Sequence, residues 1–156
     1  MLVFALLNVG DRELRRALEE NRQFEIRING ENAAVVGLQE LLDLQTQEFV
    51  TNMATSAGVS REVTLRGIEL RLLLEAFGFD LAGASHLVVS GLDGYLSPLN
   101  PAEVLSTESI YICYAMDGEI LKTQSEGGYG PFMMVIRGSR FAQRWCKYLE
   151  AVDIRT

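Results

Sequence analysis

The chain has 156 residues, 48% of them hydrophobic, and 14 lysines and arginines against 21 aspartates and glutamates give a net charge of -7. That size suits one domain, 1–156, burying roughly two thirds of its unfolded surface. The acidic balance excludes duplex DNA or RNA as an expected partner, because phosphate binding rests on Lys and Arg neutralising the backbone. No apolar run reaches about 18 residues, so no membrane span is expected. The opening MLVFALLNVG is apolar but short, without a basic n-region or a clear small-residue cleavage site before DRELRR. It reads as a core strand or as the remnant of a trimmed leader, which would place the protein in the periplasm; otherwise a cytoplasmic location is expected.

Cys113 and Cys146, with the single histidine His86, are too few for a disulfide framework or a four-ligand zinc site. Cys113 lies inside SIYICYAM and reads as a small buried hydrophobe. No phosphate-binding Walker loop, GxGxxG after a strand, HExxH or GxSxG occurs. His86 opens HLVVSGL, where a strand-end role is expected over a Ser-His-Asp triad.

In chain order, Asp11 can cap a helix over Asp11–Asn21, with Leu14, Ala17 and Leu18 on one face and Arg15, Arg16, Glu19 and Glu20 toward water. Phe24–Ile28 alternates apolar and polar residues and ends in Asn29-Gly30, predicting a hairpin into Ala33–Val36. Gly37–Leu44 reads as a short helix with Leu38, Leu41 and Leu42 inward. Glu48–Thr55 and Arg61–Leu65 read as strands. From Gly67 the period changes, and Ile68, Leu70, Leu73, Leu74 and Phe77 predict a helix that Gly78 ends.

His86–Val89 is a buried strand, and LDGY a tight turn delivering Tyr95 just beyond it. Pro101–Leu105 is a helical turn, Ser109–Met116 the most β-rich run, and Asp117-Gly118 a hairpin signal before Glu119–Leu121. Strands and short helices alternate without a regular βαβ repeat, so the class is α+β.

The stretch from Gly127 to Ile154, GGYGPFMMVIRGSRFAQRWCKYLEAVDI, stands apart. A Gly/Pro turn leads into an apolar run, Phe132–Ile136, and then into a basic segment interleaved with Phe141, Trp145 and Tyr148. Residues 137–156 carry Arg137, Arg140, Arg144, Lys147 and Arg155 against Glu150 and Asp153, a local +3 that leaves -10 for the rest of the chain. Cations beside aromatics point to a small anionic ligand; the alternative is a solvated face paired in part to Glu150 and Asp153.

The order of these signals resembles the molybdopterin-binding domain of the sulfite oxidase family over about residues 24–154. RGIELRLLLEAFG is similar to the family's Trp/Tyr-x-Gly and Leu-x-x-Leu-Leu segment, and SGLDGYLSPLNPAEVL to its DGY-bearing strand and turn. YAMDGEIL is similar to its YEMNG or YEMDG hairpin, and GGYGPFMMVIRG with RWCKYLEAVDI to GGPLRLVVPG followed by R-x-V-K-W-L-x-x-I. The resemblance implies a single-domain sulfite-oxidase-like fold of mixed sheets and short helices, with 127–154 as its closing strand. It also implies that Tyr95 is an active-site tyrosine, that Lys147 anchors a pterin with Tyr148 where tryptophan is usual, and that Arg144 is a basic neighbour. A pyranopterin carries a phosphate that Arg can grip bidentately and Lys can meet as a point charge.

One departure limits this. The family's strand equivalent to Phe49–Thr55 ends in a cysteine whose thiolate binds molybdenum, whereas QEFVTNMATSAGVSR has none. Thr55 and Ser56 are the nearest polar groups, and a neutral hydroxyl substitutes poorly for a soft thiolate. The resemblance includes neither a C-terminal dimerisation domain nor an N-terminal haem domain. The expectation is a ligand-binding relative that takes a pterin (molybdopterin) without bound molybdenum, or another anionic small molecule, through Arg144, Lys147, Tyr95, Thr55 and Ser56. The alternatives are a scaffold for a protein partner with a vestigial site, and a molybdopterin-dependent oxidoreductase whose metal is held by dithiolene sulfurs alone.

Overall fold

The computed structural model describes residues 12–54, 58, 60–138 and 144–156. Helix α1 spans 12–20 and is followed by β1 (Gln23–Ile28), β2 (Glu31–Gly37) and α2 (Leu38–Leu42). Next come β3 (Gln47–Ala54), β4 (Ser60–Glu69), α3 (Leu70–Ala76), β5 (His86–Gly91), β6 (Leu96–Leu99) and α4 (Pro101–Leu105). The chain ends with β7 (Ile110–Met116), β8 (Glu119–Ile120), β9 (Met133–Ile136) and β10 (Leu149–Arg155). Among the described residues no helix is long and apolar enough to cross a membrane.

The first sheet runs β2-β1-β10-β5-β6. Its β1–β2 hairpin turns at Asn29 and Gly30, both at positive φ, as the tightest hairpins require. Strand β10 pairs in parallel with β1, Ile26 opposite Val152, and antiparallel with β5. The stretch expected to close the fold therefore closes it at the centre of a sheet. The second sheet runs β3-β4-β7-β8, with β9 also paired to β7.

One hydrophobic cluster spans both sheets, with Phe24 edge-on to Phe132 at 4.9 Å and Phe49 tilted against Tyr111 at 4.5 Å. Each fully buried large side chain there contributes about 1.5–3 kcal/mol. Strand β7 is buried from Ile110 to Ala115, which accounts for its continuous apolar run.

Two expectations change. Gly67 is not where the helix period begins: β4 continues through Ile68 to Glu69 and bulges at Arg66/Gly67. A Cβ on Gly67 would lie 2.2 Å from the Ile112 carbonyl oxygen, so this glycine exists for close backbone approach across strands. Helix α3 then buries Leu70, Leu73 and Leu74. It ends as expected at Gly78, whose N–H donates to the Glu75 carbonyl while that of Phe79 reaches Leu74, a Schellman arrangement. The second change is Leu42, which is exposed because the five-residue α2 has room for one buried side chain, Leu41.

Helix α1 lies against a polar layer on the first sheet, and the Asp11 cap expected for it falls outside the described residues. Leu18 is buried, while Arg15 reaches Glu150 at 3.1 Å. Below it, Arg27 bridges Glu25 at 2.7 Å and Glu150 at 3.0 Å. Burial alone would lower the Arg27 pKa, but hydrogen bonds to Glu25 and Glu150 outweigh it and hold the guanidinium above its ordinary value.

Candidate functional site

The DGY turn and the RWCK segment meet at one corner of the first sheet. Within the turn, the Gly91 N–H donates to the Tyr95 carbonyl at 2.8 Å and that of Gly94 to Gly91 at 2.9 Å. The Tyr95 N–H donates to Asp93 Oδ1 at 3.2 Å. A Cβ on Gly91 would sit 2.5 Å from Asp93 Oδ1 and 2.8 Å from the Lys147 carbonyl oxygen; glycine thus lets the turn press flat on residues 146–148.

Two backbone bonds complete the contact. The Leu92 N–H donates to the Tyr148 carbonyl at 2.6 Å, and the Tyr148 N–H to the Tyr129 carbonyl at 2.9 Å. The Lys147 ammonium then stands 4.3 Å from the centroid of the Tyr129 ring, a contact worth about 0.5–1 kcal/mol where exposed. Among the described residues the contact of this ammonium is a ring and not a carboxylate. Burial, and after it the charge of Asp93, raises the Tyr148 phenol above its ordinary pKa.

Arg144 belongs to the same segment but points elsewhere. Its Nη2 meets both carboxylate oxygens of Glu103, at 2.8 and 2.9 Å, and the Pro98 carbonyl at 3.4 Å. The Ser97 hydroxyl donates to the Arg144 carbonyl at 2.8 Å. Glu103 also accepts from the Asn100 N–H at 2.9 Å in the capping box of α4. Arg144 therefore staples the RWCK segment to β6 and α4.

The basic cluster read from the sequence disperses in the same way. Arg137 lies over the Phe49 and Tyr111 rings, and Arg155 pairs with Asp153 at 2.7 Å. Arg140, Thr55 and Ser56 fall outside the described residues. Met53 is buried on β3, in register with Arg61 of β4. His86 is exposed at the start of β5, its Nδ1 2.8 Å from the Ser85 hydroxyl.

The sequence profile of the oxidoreductase molybdopterin binding domain matches residues 14–156. The chain belongs to that family. Among solved structures, the sulfane dehydrogenase SoxCD from Paracoccus pantotrophus is similar, with a TM-score of 0.70 and 17% identity over 88% of this chain and 39% of that one. The likeness is one of fold, and the chain spans well under half of that protein's length. A comparison with curated proteins found no match.

For a molybdopterin binding domain, the two halves of the cofactor fit unequally. Cys113 and Cys146 are buried and free. Burial, followed by the charges of Asp93 and Glu150, pushes the Cys146 thiol up to about 12, and burial alone carries Cys113 higher. Neither is a thiolate near neutral pH, and no cysteine precedes Cys113 in the chain, so the soft metal ligand has no counterpart among the described residues. On the organic side, the lysine that the resemblance singles out, Lys147, lies at this corner with its ammonium over the Tyr129 ring. Two participants escaped the sequence reading. Tyr129 sits in the quoted GGYG and could have been found as the aromatic between two chain-reversing glycines. Glu103 could not, since it lies 41 residues from Arg144.

Proposed function

We propose that this molybdopterin binding domain holds a pterin, or another anionic small molecule, at the corner of the DGY turn and the RWCK segment, without molybdenum redox chemistry. Lys147 is the anchor, Tyr95 borders the ligand, and Arg144 serves by fixing the segment. The observation that carries this reading is the Lys147 ammonium held over Tyr129 beside a turn that packs on the lysine's own backbone. Calorimetric titration of the protein with a phosphorylated pterin tests it. Lys147→Ala should weaken binding by about 1.5–3 kcal/mol, roughly ten- to a hundredfold; no saturable binding, or affinity unchanged in the variant, refutes the reading.

Family membership supports a second reading, a molybdopterin-dependent oxidoreductase. Here the bound group would supply the redox centre, while Lys147 and the turn would orient its organic part. Stoichiometric molybdenum in protein from a molybdenum-competent host favours this reading, and its absence after anaerobic preparation removes it.

A further inference from the structure

The second sheet carries a cleft that neither Tyr95 nor Lys147 lines. It lies between the β7–β8 hairpin and the loop at Gly127–Tyr129, with Arg61 reaching in from β4, and encloses about 290 Å³. One wall is rigid for local reasons. A Cβ on Gly128 would lie 2.3 Å from the Lys122 carbonyl oxygen, so the loop lies directly on residues 121–123. The Gly130 and Gly128 N–H groups donate to Lys122 and Thr123 at 2.7 and 2.8 Å. Glu126 accepts from the Thr123 N–H and hydroxyl at 3.0 and 2.9 Å, and Arg22 donates to the Leu121 carbonyl at 2.7 Å.

The lining combines three kinds of surface. Ile120, Leu121 and Met116 give it an apolar part, and Tyr129 an aromatic ring. Arg61 and Lys122 bring two positive charges and Asp117 and Glu119 two negative ones, so the formal charge is balanced. Arg61 meets Asp117 Oδ2 at 3.3 Å with both side chains about half exposed, a pairing worth about 0–1 kcal/mol. Asp117 is held independently, its Oδ1 accepting from the Thr64 N–H at 2.9 Å. The guanidinium can therefore leave Asp117 for a better acceptor without unsettling the hairpin.

We infer that this cleft binds a small planar aromatic carboxylate bearing a ring amino or N–H donor. The acid takes the fork of Arg61, for which a carboxylate is the matching bidentate acceptor. The ring lies against Tyr129 and the apolar side chains, and the donor faces Asp117 or Glu119. The volume is near the lower bound of ligand pockets, roughly 300 Å³, which suits one or two rings. The two carboxylates set the charge class: a dianion such as inorganic phosphate meets them as like charges, whereas a monoanion with a donor edge is complemented on both sides.

Calorimetric titration of the protein with ortho-aminobenzoate, benzamide and inorganic phosphate tests this. Saturable binding is expected for ortho-aminobenzoate, with benzamide and phosphate each weaker by at least about tenfold. Arg61→Gln and Tyr129→Leu should each weaken the aminobenzoate by roughly tenfold, and a thermal melt of Arg61→Gln like that of the parent rules out unfolding as the cause. Arg61→Gln should leave titration with a phosphorylated pterin unchanged, separating this site from the corner at Lys147. Absence of saturable aminobenzoate binding, benzamide or phosphate binding as tightly, or full affinity in Arg61→Gln overturns the inference.

Discussion

Arg27 and Arg61 each stand about 3 Å from a carboxylate, and they do opposite things. Arg27 is set among Glu25 and Glu150, both nearly inaccessible, under a helix that adds Arg15 from above. Arg61 touches Asp117 at the mouth of a cleft with more than half of its side chain in water. Inside the first sheet the charges are desolvated, so each depends on the other and the group is structural. At the cleft, water screens the pair, and the guanidinium can exchange one carboxylate for another. Exposure, not partner identity, separates an arginine that holds the fold from one that can hold a ligand.

Breaking the buried side of this contrast should have the largest effect. Arg27→Ala leaves the buried Glu25 without its counter-charge and Glu150 with Arg15 alone, and should cost about 3–5 kcal/mol in chemical denaturation. A loss below about 1 kcal/mol would mean that water reaches the layer and that it resembles the cleft after all. Next comes Cys146, whose folded pKa of about 12 lies above an ordinary 9.0. Between those values the unfolded chain has lost the proton that the folded one keeps, so stability is whole below pH 9 and falls as pH climbs toward 12. Cys146→Ala should show a shallower decline than the parent over that window; equal slopes would show that the thiol is wetter than its position implies.

Features set within a few residues were legible in the sequence. Asn29-Gly30 and the Asp93-Gly94 turn each declare themselves locally, and both stand where expected. The long-range family signature placed the fold, and the Tyr95 turn and the Lys147 segment that it singles out pack against each other. What failed depended on a distant partner. Gly67 was read as a change of period because nothing nearby reveals the Ile112 backbone against it. The +3 charge of residues 137–156 was correct as a sum, yet Arg144 and Arg155 are held by Glu103 and Asp153, and Arg137 lies over two rings. The cleft had no local sign, since Arg61 comes from a strand remote in sequence from the hairpin and the GGYG loop it faces.

Glu103 lies between the two extremes, partly buried and serving two partners. Its removal should cost about 1–2 kcal/mol, combining the lost capping contact with the lost Arg144 pair. Glu103→Gln tests the division: it can still accept from the Asn100 N–H, so a loss near that of Glu103→Ala would assign most of the effect to the charge on Arg144.

The smallest effect belongs to Arg61. Its pair with Asp117 is exposed on both sides, Asp117 keeps its bond to the Thr64 backbone without it, and no buried acid is left behind. Arg61→Ala should therefore change unfolding free energy by no more than about 0.5 kcal/mol, a residual that added salt should reduce further. Against the several kcal/mol expected at Arg27, that near-silence is the required counterpart of a ligand role. A side chain free to turn toward an incoming acid cannot also be one that the fold needs. A loss of more than about 1 kcal/mol at Arg61 would place it with Arg27, as part of what holds the β7–β8 hairpin to β4.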